Sequence, residues 1–345
     1  MKNITILIGW LIILANVSCS RQLKPQELPI VVFQNACYPH VQFWQGNYYA
    51  TIQPQSGDSI ILYTSSDPAQ LSTGRSRCVF HDSQMQHIWS PELHRLNSKW
   101  YIYFEADDGN TDNHQLYVLE NSSDYPMQGE FKLKGAIKTN EEWNFGLHPT
   151  SIVVRGQQYL IWSGWQHRRS ETETQCIFIA RMQNPWTLES ERVLLSQPEL
   201  EWERQWINPD GLRSNYPIFV NENPEAFLTS DGRRVCVCYS ASGIWTVYHV
   251  LGMLTAPSDA DLLNPQSWTK RTEPILLGGS GGEDAGSLYG CSNISVTPTA
   301  DGNGHWLFYE SMQADADGVV HRDIRMRPLH WETDGMPDFC RAYQN

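Results

Sequence analysis

Residues 96–103 read Leu96-Asn-Ser-Lys-Trp-Tyr-Ile-Tyr103, a polar turn running into a strand of alternating aromatic and β-branched side chains. The unit recurs as Trp44-Gln-Gly-Asn-Tyr-Tyr49, Arg155-Gly-Gln-Gln-Tyr-Leu-Ile-Trp162, Ser230-Asp-Gly-Arg-Arg-Val-Cys-Val-Cys-Tyr239 and Asp301-Gly-Asn-Gly-His-Trp-Leu-Phe-Tyr309. Measured from Tyr48, Trp100, Tyr159, Val235 and Trp306, the steps are 52, 59, 76 and 71 residues. No long segment keeps the 3.6-residue apolar spacing of a helix. Five turn-strand units imply an all-β chain, a five-bladed β-propeller of four-stranded blades. The steps exceed the roughly 40–45 residues of a WD40 blade, so the extra length belongs to loops, where a site would be built.

The chain has 345 residues, 38 of them acidic and 25 basic, a net charge of −13. That balance excludes a nucleic-acid partner, which needs a basic footprint. A hydrophobic content of 41% supports a core and excludes general disorder. Lys2 followed by the apolar run Ile6–Ala15 reads as an export signal over residues 1–18. Asn16-Val17-Ser18-Cys19 resembles a bacterial lipobox, with Asn16 where Leu is usual, and marks Cys19 for lipidation. The expected product is an exported lipoprotein of the periplasm or outer membrane. A linker covers 19–29 and the propeller 30–345; the lipid anchor is the sole membrane contact, and a monomer is expected. The eight cysteines form no C-x-x-C pair, so buried free thiols are expected and no zinc site is read.

Further stretches carry a family likeness. Ile88-Trp-Ser-Pro-Glu-Leu-His-Arg-Leu-Asn-Ser-Lys-Trp-Tyr-Ile-Tyr-Phe104 runs on into Glu105-Ala-Asp-Asp-Gly-Asn-Thr-Asp-Asn-His-Gln-Leu-Tyr-Val-Leu119. With Tyr159-Leu-Ile-Trp-Ser-Gly-Trp165, Asn184-Pro-Trp-Thr187, Val220-Asn-Glu-Asn-Pro-Glu225 and Arg322-x-x-Arg325, it resembles glycoside hydrolase family 43. These are five-bladed propellers that trim arabinose and xylose from plant polysaccharides. The resemblance implies an oligosaccharide or polysaccharide as partner and inverting hydrolysis by a general acid and a general base.

The same resemblance places Glu222 at the acid, since Val-Asn-Glu-Asn-Pro stands where the family has Asn-Glu-Gly-Pro. Burial in an aromatic pocket raises a carboxyl's pKa, as protonation of a leaving oxygen requires. The base Asp is replaced by Tyr38 in Ala36-Cys-Tyr-Pro-His40, and the Asp that tunes the acid by His148 in Gly146-Leu-His-Pro-Thr150. Asn293 stands where the family has an axial His, often beside a metal. Glu222, Tyr38 and His148 are therefore the catalytic candidates. A phenol with a reference pKa near 10 is a poor base; an imidazole near 6.5 is a better one. A Tyr38 nucleophile beside His148 is the sharper variant. His40, Trp89, Glu92, Trp165, Trp245, Asn293 and Arg325 are the substrate-binding candidates, the tryptophans because indole faces stack on sugar rings. No metal is assigned and no cofactor is required. Asp107–Asp112 has the look of a calcium loop but Val118 stands at its twelfth position, so a structural calcium ion is only an open alternative. The reading is a glycosidase with rebuilt machinery; the alternative is a propeller that binds sugar without chemistry.

Overall fold

The computed structural model describes residues 29–53, 57–141, 144–167, 173–207, 213–244, 246, 248–275, 277, 288–314 and 320–339. The leader over 1–18, the lipidation site Cys19 and Trp245 lie outside them. Strand β1 (Ile30–Phe33) precedes blade one, which is β2 (Cys37–Trp44), β3 (Asn47–Gln53), β4 (Ser59–Ser65) and β5 (Arg75–His81). Blade two is β6 (Gln86–Leu96), β7 (Lys99–Asp107), β8 (Gln115–Asn121) and β9 (Lys132–Ile137). Blade three holds β10 (Leu147–Val154), β11 (Gln157–Gly164) and β12 (Glu173–Asn184), with short β13 (Thr187–Leu188) and β14 (Val193–Ser196) on β12. Blade four holds β15 (Arg204–Ile207), β16 (Arg213–Leu228), β17 (Arg234–Ala241), β18 (Val250–Pro257) and β19 (Thr269–Lys270). A short parallel pairing of β12 with β16 joins blades three and four. Blade five is β20 (Leu288–Pro298), β21 (His305–Ala314) and β22 (Val320–Trp331), edged by β23 (Pro337–Asp338). Its remaining strand is β1, paired antiparallel with β22 through Ile30↔Met326. The start of the propeller thus completes its last blade.

All five repeated turn-strand units fall on the hairpin between a blade's innermost strand and the next. Three hairpins are two-residue turns with positive φ at both centres: Gln45-Gly46, Asn97-Ser98 and Arg155-Gly156. These are type I′ turns, whose twist matches that of the flanking strands. Apolar side chains pack between blades rather than within one. One cluster joins Tyr49 and Leu62 of blade one to Trp100 and Phe104 of blade two. Others join blades two and three, three and four, and four and five. A fifth joins Phe308 and Ile324 of blade five to Val41 and Tyr48 of blade one, closing the ring. Trp100 is fully buried and its indole N–H donates to Asp124 O at 3.1 Å. Truncating it to Ala would cost about 3–5 kcal/mol. Cys236 and Cys238 share one such cluster as free thiols.

The five inner strands carry the same defect at the same height. Tyr38, Ser90, His148, Asn223 and Asn293 have φ of +55°, +45°, +50°, +49° and +44°. The pairing of each inner strand shifts register there. A bulge of this kind bends the strand and re-aims a side chain. Non-glycine residues rarely hold positive φ, least of all bulky ones, so Tyr38 and His148 sit in strained backbone that the surrounding fold must hold.

Candidate active site

A second ring of side chains clasps these bulges. The positions opposite the bulges on the second strands of blades two, three and five are Glu105, Ser163 and Glu310. His148 N–H of blade three donates to Glu105 Oε2 of blade two at 3.0 Å. Asn223 N–H of blade four donates to Ser163 Oγ of blade three at 3.1 Å. Tyr38 N–H of blade one donates to Glu310 Oε2 of blade five at 3.4 Å. Blade four's equivalent, Ser240, donates its hydroxyl to Asn293 Oδ1 of blade five at 3.0 Å. Four of the five blades thus tie the next one's bulge residue to themselves around the axis, blade two to three, three to four, four to five and five to one.

Glu222 precedes the Asn223 bulge and is 1% exposed. Its Oε1 accepts the Ile244 N–H at 2.8 Å, which fixes the carboxyl against the loop after β17. Asn223 occupies the left-handed region that Asn and Gly tolerate, which is why it can stand where the family motif has Gly. The Tyr38 and His148 rings stack with centroids 5.4 Å apart and planes 26° from parallel. Burial pushes the Tyr38 phenol well above its usual range; Cys37, Glu310, Glu222 and Glu105 push it further. That shift keeps the phenol protonated at neutral pH. Burial holds His148 well below 6.5, with His114 and His249 adding to the effect, so its imidazole is neutral. Glu105 is fully buried, and desolvation lifts its carboxyl to about 8 against the opposing His148 N–H.

Asn293 is held on both sides: besides Ser240, its Nδ2 donates to Glu310 Oε2 at 2.7 Å. Glu310 pairs through Oε1 with Arg322 Nη1 at 2.9 Å. Arg322 also donates to the carbonyl of Ile244, the residue whose N–H holds Glu222. Of the two arginines in the Arg322-x-x-Arg325 segment, Arg322 is the one linked to Glu222, through the backbone of Ile244. Arg325 bonds Ser311 at 2.8 Å and Gln313 at 2.9 Å within blade five, away from that group. Trp89 lies at the rim, 4.8 Å from the His114 ring. Trp165 stacks flat on Phe145 at 3.7 Å and lines a cavity of about 500 Å³ between blades two and three. Asp107 lines the same cavity, but His87 at 2.8 Å, His114 at 3.0 Å and the Gly109 N–H at 2.8 Å fill its carboxylate.

His40 and Glu92 lie beneath the bulge ring, with His94 beside them. Their ligand atoms fall within 4.8 Å of one another, the one such group of three among the described residues. It does not fit a metal. His40 Nδ1 accepts the Leu93 N–H at 3.1 Å, so the proton of the neutral imidazole sits on Nε2, facing Glu92 at 3.8 Å. His94 Nε2 lies 3.0 Å from the same carboxylate. Asn293, at the place of the family's axial His, uses its Oδ1 and one Nδ2 hydrogen in the bonds to Ser240 and Glu310.

Sequence reading passed over Glu105, Glu310, Arg322 and His249. The signal for the two glutamates was present: each is the one charge inside an apolar strand, Trp100–Ala106 and Trp306–Met312, and such charges are buried only with a purpose.

A family profile described as "Glycosyl hydrolases family 43" matches residues 29–337. An "Extracellular exo-alpha-(1->5)-L-arabinofuranosidase" of Streptomyces avermitilis is 33% identical over 314 residues, 87% of this chain and 60% of that protein. A protein of the same description from Streptomyces chartreusis is 33% identical over 296 residues, 84% of this chain and 83% of its own. This chain spans about 60% of the length of the first of these. The crystal structure of an α-L-arabinofuranosidase from Lactobacillus brevis superposes with a TM-score of 0.77 at 28% identity, covering 92% of this chain and 97% of the other.

Proposed function

The chain belongs to glycosyl hydrolases family 43, and on that premise we propose that it hydrolyses O-glycosidic bonds of arabinose- or xylose-containing side chains on plant polysaccharides, arabinofuranosyl groups first. The observation that carries the reading is Glu222: a carboxyl 1% exposed, anchored by a backbone N–H, at the acid's place in a ring otherwise rebuilt. Glu222 protonates the leaving oxygen as the C1–O bond breaks, and a water arrives from the opposite face of the sugar. Tyr38, Asn293 and Trp89 orient the ring. The relatives named as arabinofuranosidases support the choice of sugar.

Two of those relatives are named extracellular, which supports export of this chain; the lipid anchor at Cys19 is proposed from the sequence alone. Among the described residues no helix is long and apolar enough to cross a membrane. The test of function is direct. The purified chain is incubated with 4-nitrophenyl α-L-arabinofuranoside, the matching xyloside, and arabinan and xylan oligosaccharides. Turnover that disappears in Glu222→Gln supports hydrolysis. Calorimetric binding with no product on any substrate replaces it with the sugar-binding alternative.

A further inference from the structure

The bulge clasp needs only one acceptor atom, and blade three supplies it with Ser163 alone. Glu105 brings two oxygens. Oε2 takes the His148 N–H; Oε1 is buried, has no hydrogen-bond partner, and lies 3.6 Å from His148 Nε2. Glu310, the other carboxylate in the clasp, has its second oxygen neutralised by Arg322. No cation faces Glu105. His148, 5% exposed, has a surplus of its own: Nδ1 is buried without a partner. A buried acceptor left unsatisfied costs about 1–3 kcal/mol, so two of them in one contact call for an explanation.

We propose that His148 is the general base of this chain and that Glu105 is the positioning residue that makes it one. This rests on the hydrolytic reading above. With Nε2–H directed at Glu105 Oε1, the lone pair lies on Nδ1. Nδ1 takes a proton from the attacking water as the water oxygen bonds C1. Glu222 gives its proton to the departing oxygen, and the C1–O bond breaks. The imidazolium left on His148 is held by Glu105 in its ionised form, whose share grows as pH rises towards 8, and solvent then carries the proton away and recharges Glu222. The 3.6 Å gap exceeds a hydrogen bond, as pairs of this kind often do before substrate tightens them. The groups facing the dyad are Tyr38 from β2, Ser90 and Glu92 from β6, His114 before β8 and His249 before β18. The Ser90 hydroxyl lies against the Glu105 carboxyl and favours its ionised form, but it brings no positive charge. The base function of blade one has moved to the seam between blades two and three.

The experiment uses the full chain and 4-nitrophenyl α-L-arabinofuranoside, with His148→Ala and Glu105→Gln checked for folding by circular dichroism. His148→Ala is expected to lower kcat by about 10²–10⁴-fold with little change in KM, and sodium azide to restore part of it. Glu105→Gln is expected to lower kcat at least about tenfold. It should also erase a rise in kcat/KM with pH centred near the carboxyl's titration at about 8. A merely structural Glu105 would leave the pH profile in place. If the wild type turns over and His148→Ala stays within about threefold of it, or Glu105→Gln keeps the profile, the dyad is refuted while hydrolysis stands. A wild type silent on every probe removes both.

Discussion

Replacing Glu105 with Gln should make the protein more stable at neutral pH. A carboxyl lifted from 4.5 to about 8 binds its proton more tightly when folded than when unfolded. Stability therefore falls as pH rises from 4.5 to about 8, because the native state holds the extra proton throughout that window. At 1.36 kcal/mol for each pH unit, the penalty reaches about 3 kcal/mol at pH 7 and about 5 kcal/mol once Glu105 is ionised in both states. Gln removes this slope but weakens the bond from the His148 N–H, at a cost of about 1 kcal/mol. The net gain is about 2 kcal/mol at pH 7, a rise of about 3 °C in Tm for a domain of this size. Below pH 4.5 the sign reverses and the wild type is slightly the more stable. The assay is urea unfolding of both proteins at pH 4.5, 7 and 8.5. Curves that stay parallel across that range would refute the raised carboxyl, and a variant less stable at pH 7 would show that Glu105 serves only as a clasp. A residue that destabilises its fold while speeding its reaction is a hallmark of a functional site.

Glu222→Gln should lower kcat on the nitrophenyl arabinoside by about 10²–10⁴-fold with Tm within a few degrees, read by steady-state kinetics and calorimetry. Arg322→Met strands the fully buried Glu310 and loosens Ile244. We expect a loss of about 2–4 kcal/mol in denaturant unfolding, below the full cost of a buried pair because Arg322 is about a third exposed, together with a raised KM. Asn223→Gly should be nearly neutral in unfolding, since φ of +49° suits Gly. Asn223→Ala should cost about 1 kcal/mol, because Ala pays for the left-handed backbone.

The architecture was legible because every blade repeats the same hairpin, and the type I′ turns advertise themselves as Gln45-Gly46 and Arg155-Gly156. Asn-Glu-x-Pro at Glu222 and Tyr38-Pro39 in place of an Asp-Pro turn were likewise readable, and on them rest the proposed acid and the proposed loss of the usual base. The partners were not. Glu105 and Glu310 reach their bulges from neighbouring blades, 43 and 272 residues away in sequence, and no local pattern encodes a contact that only ring closure creates. Arg325 and Arg322 differ by three positions on one strand, and the choice between them depended on which one meets the loop at Ile244. Edge strand β1 was likewise unreadable as part of blade five, since its four residues Ile30–Phe33 carry no signal of a partner at Met326.

That pairing has a consequence for biogenesis. The first strand of the propeller cannot find its partner until the last blade has been made, so the ring has no finished edge during synthesis. Contacts this distant in sequence form late and slowly, and the exposed rims of four complete blades wait for them. Ring closure thus waits for β20 to β22, and the outer edge of β22 stays open until β1 docks on it.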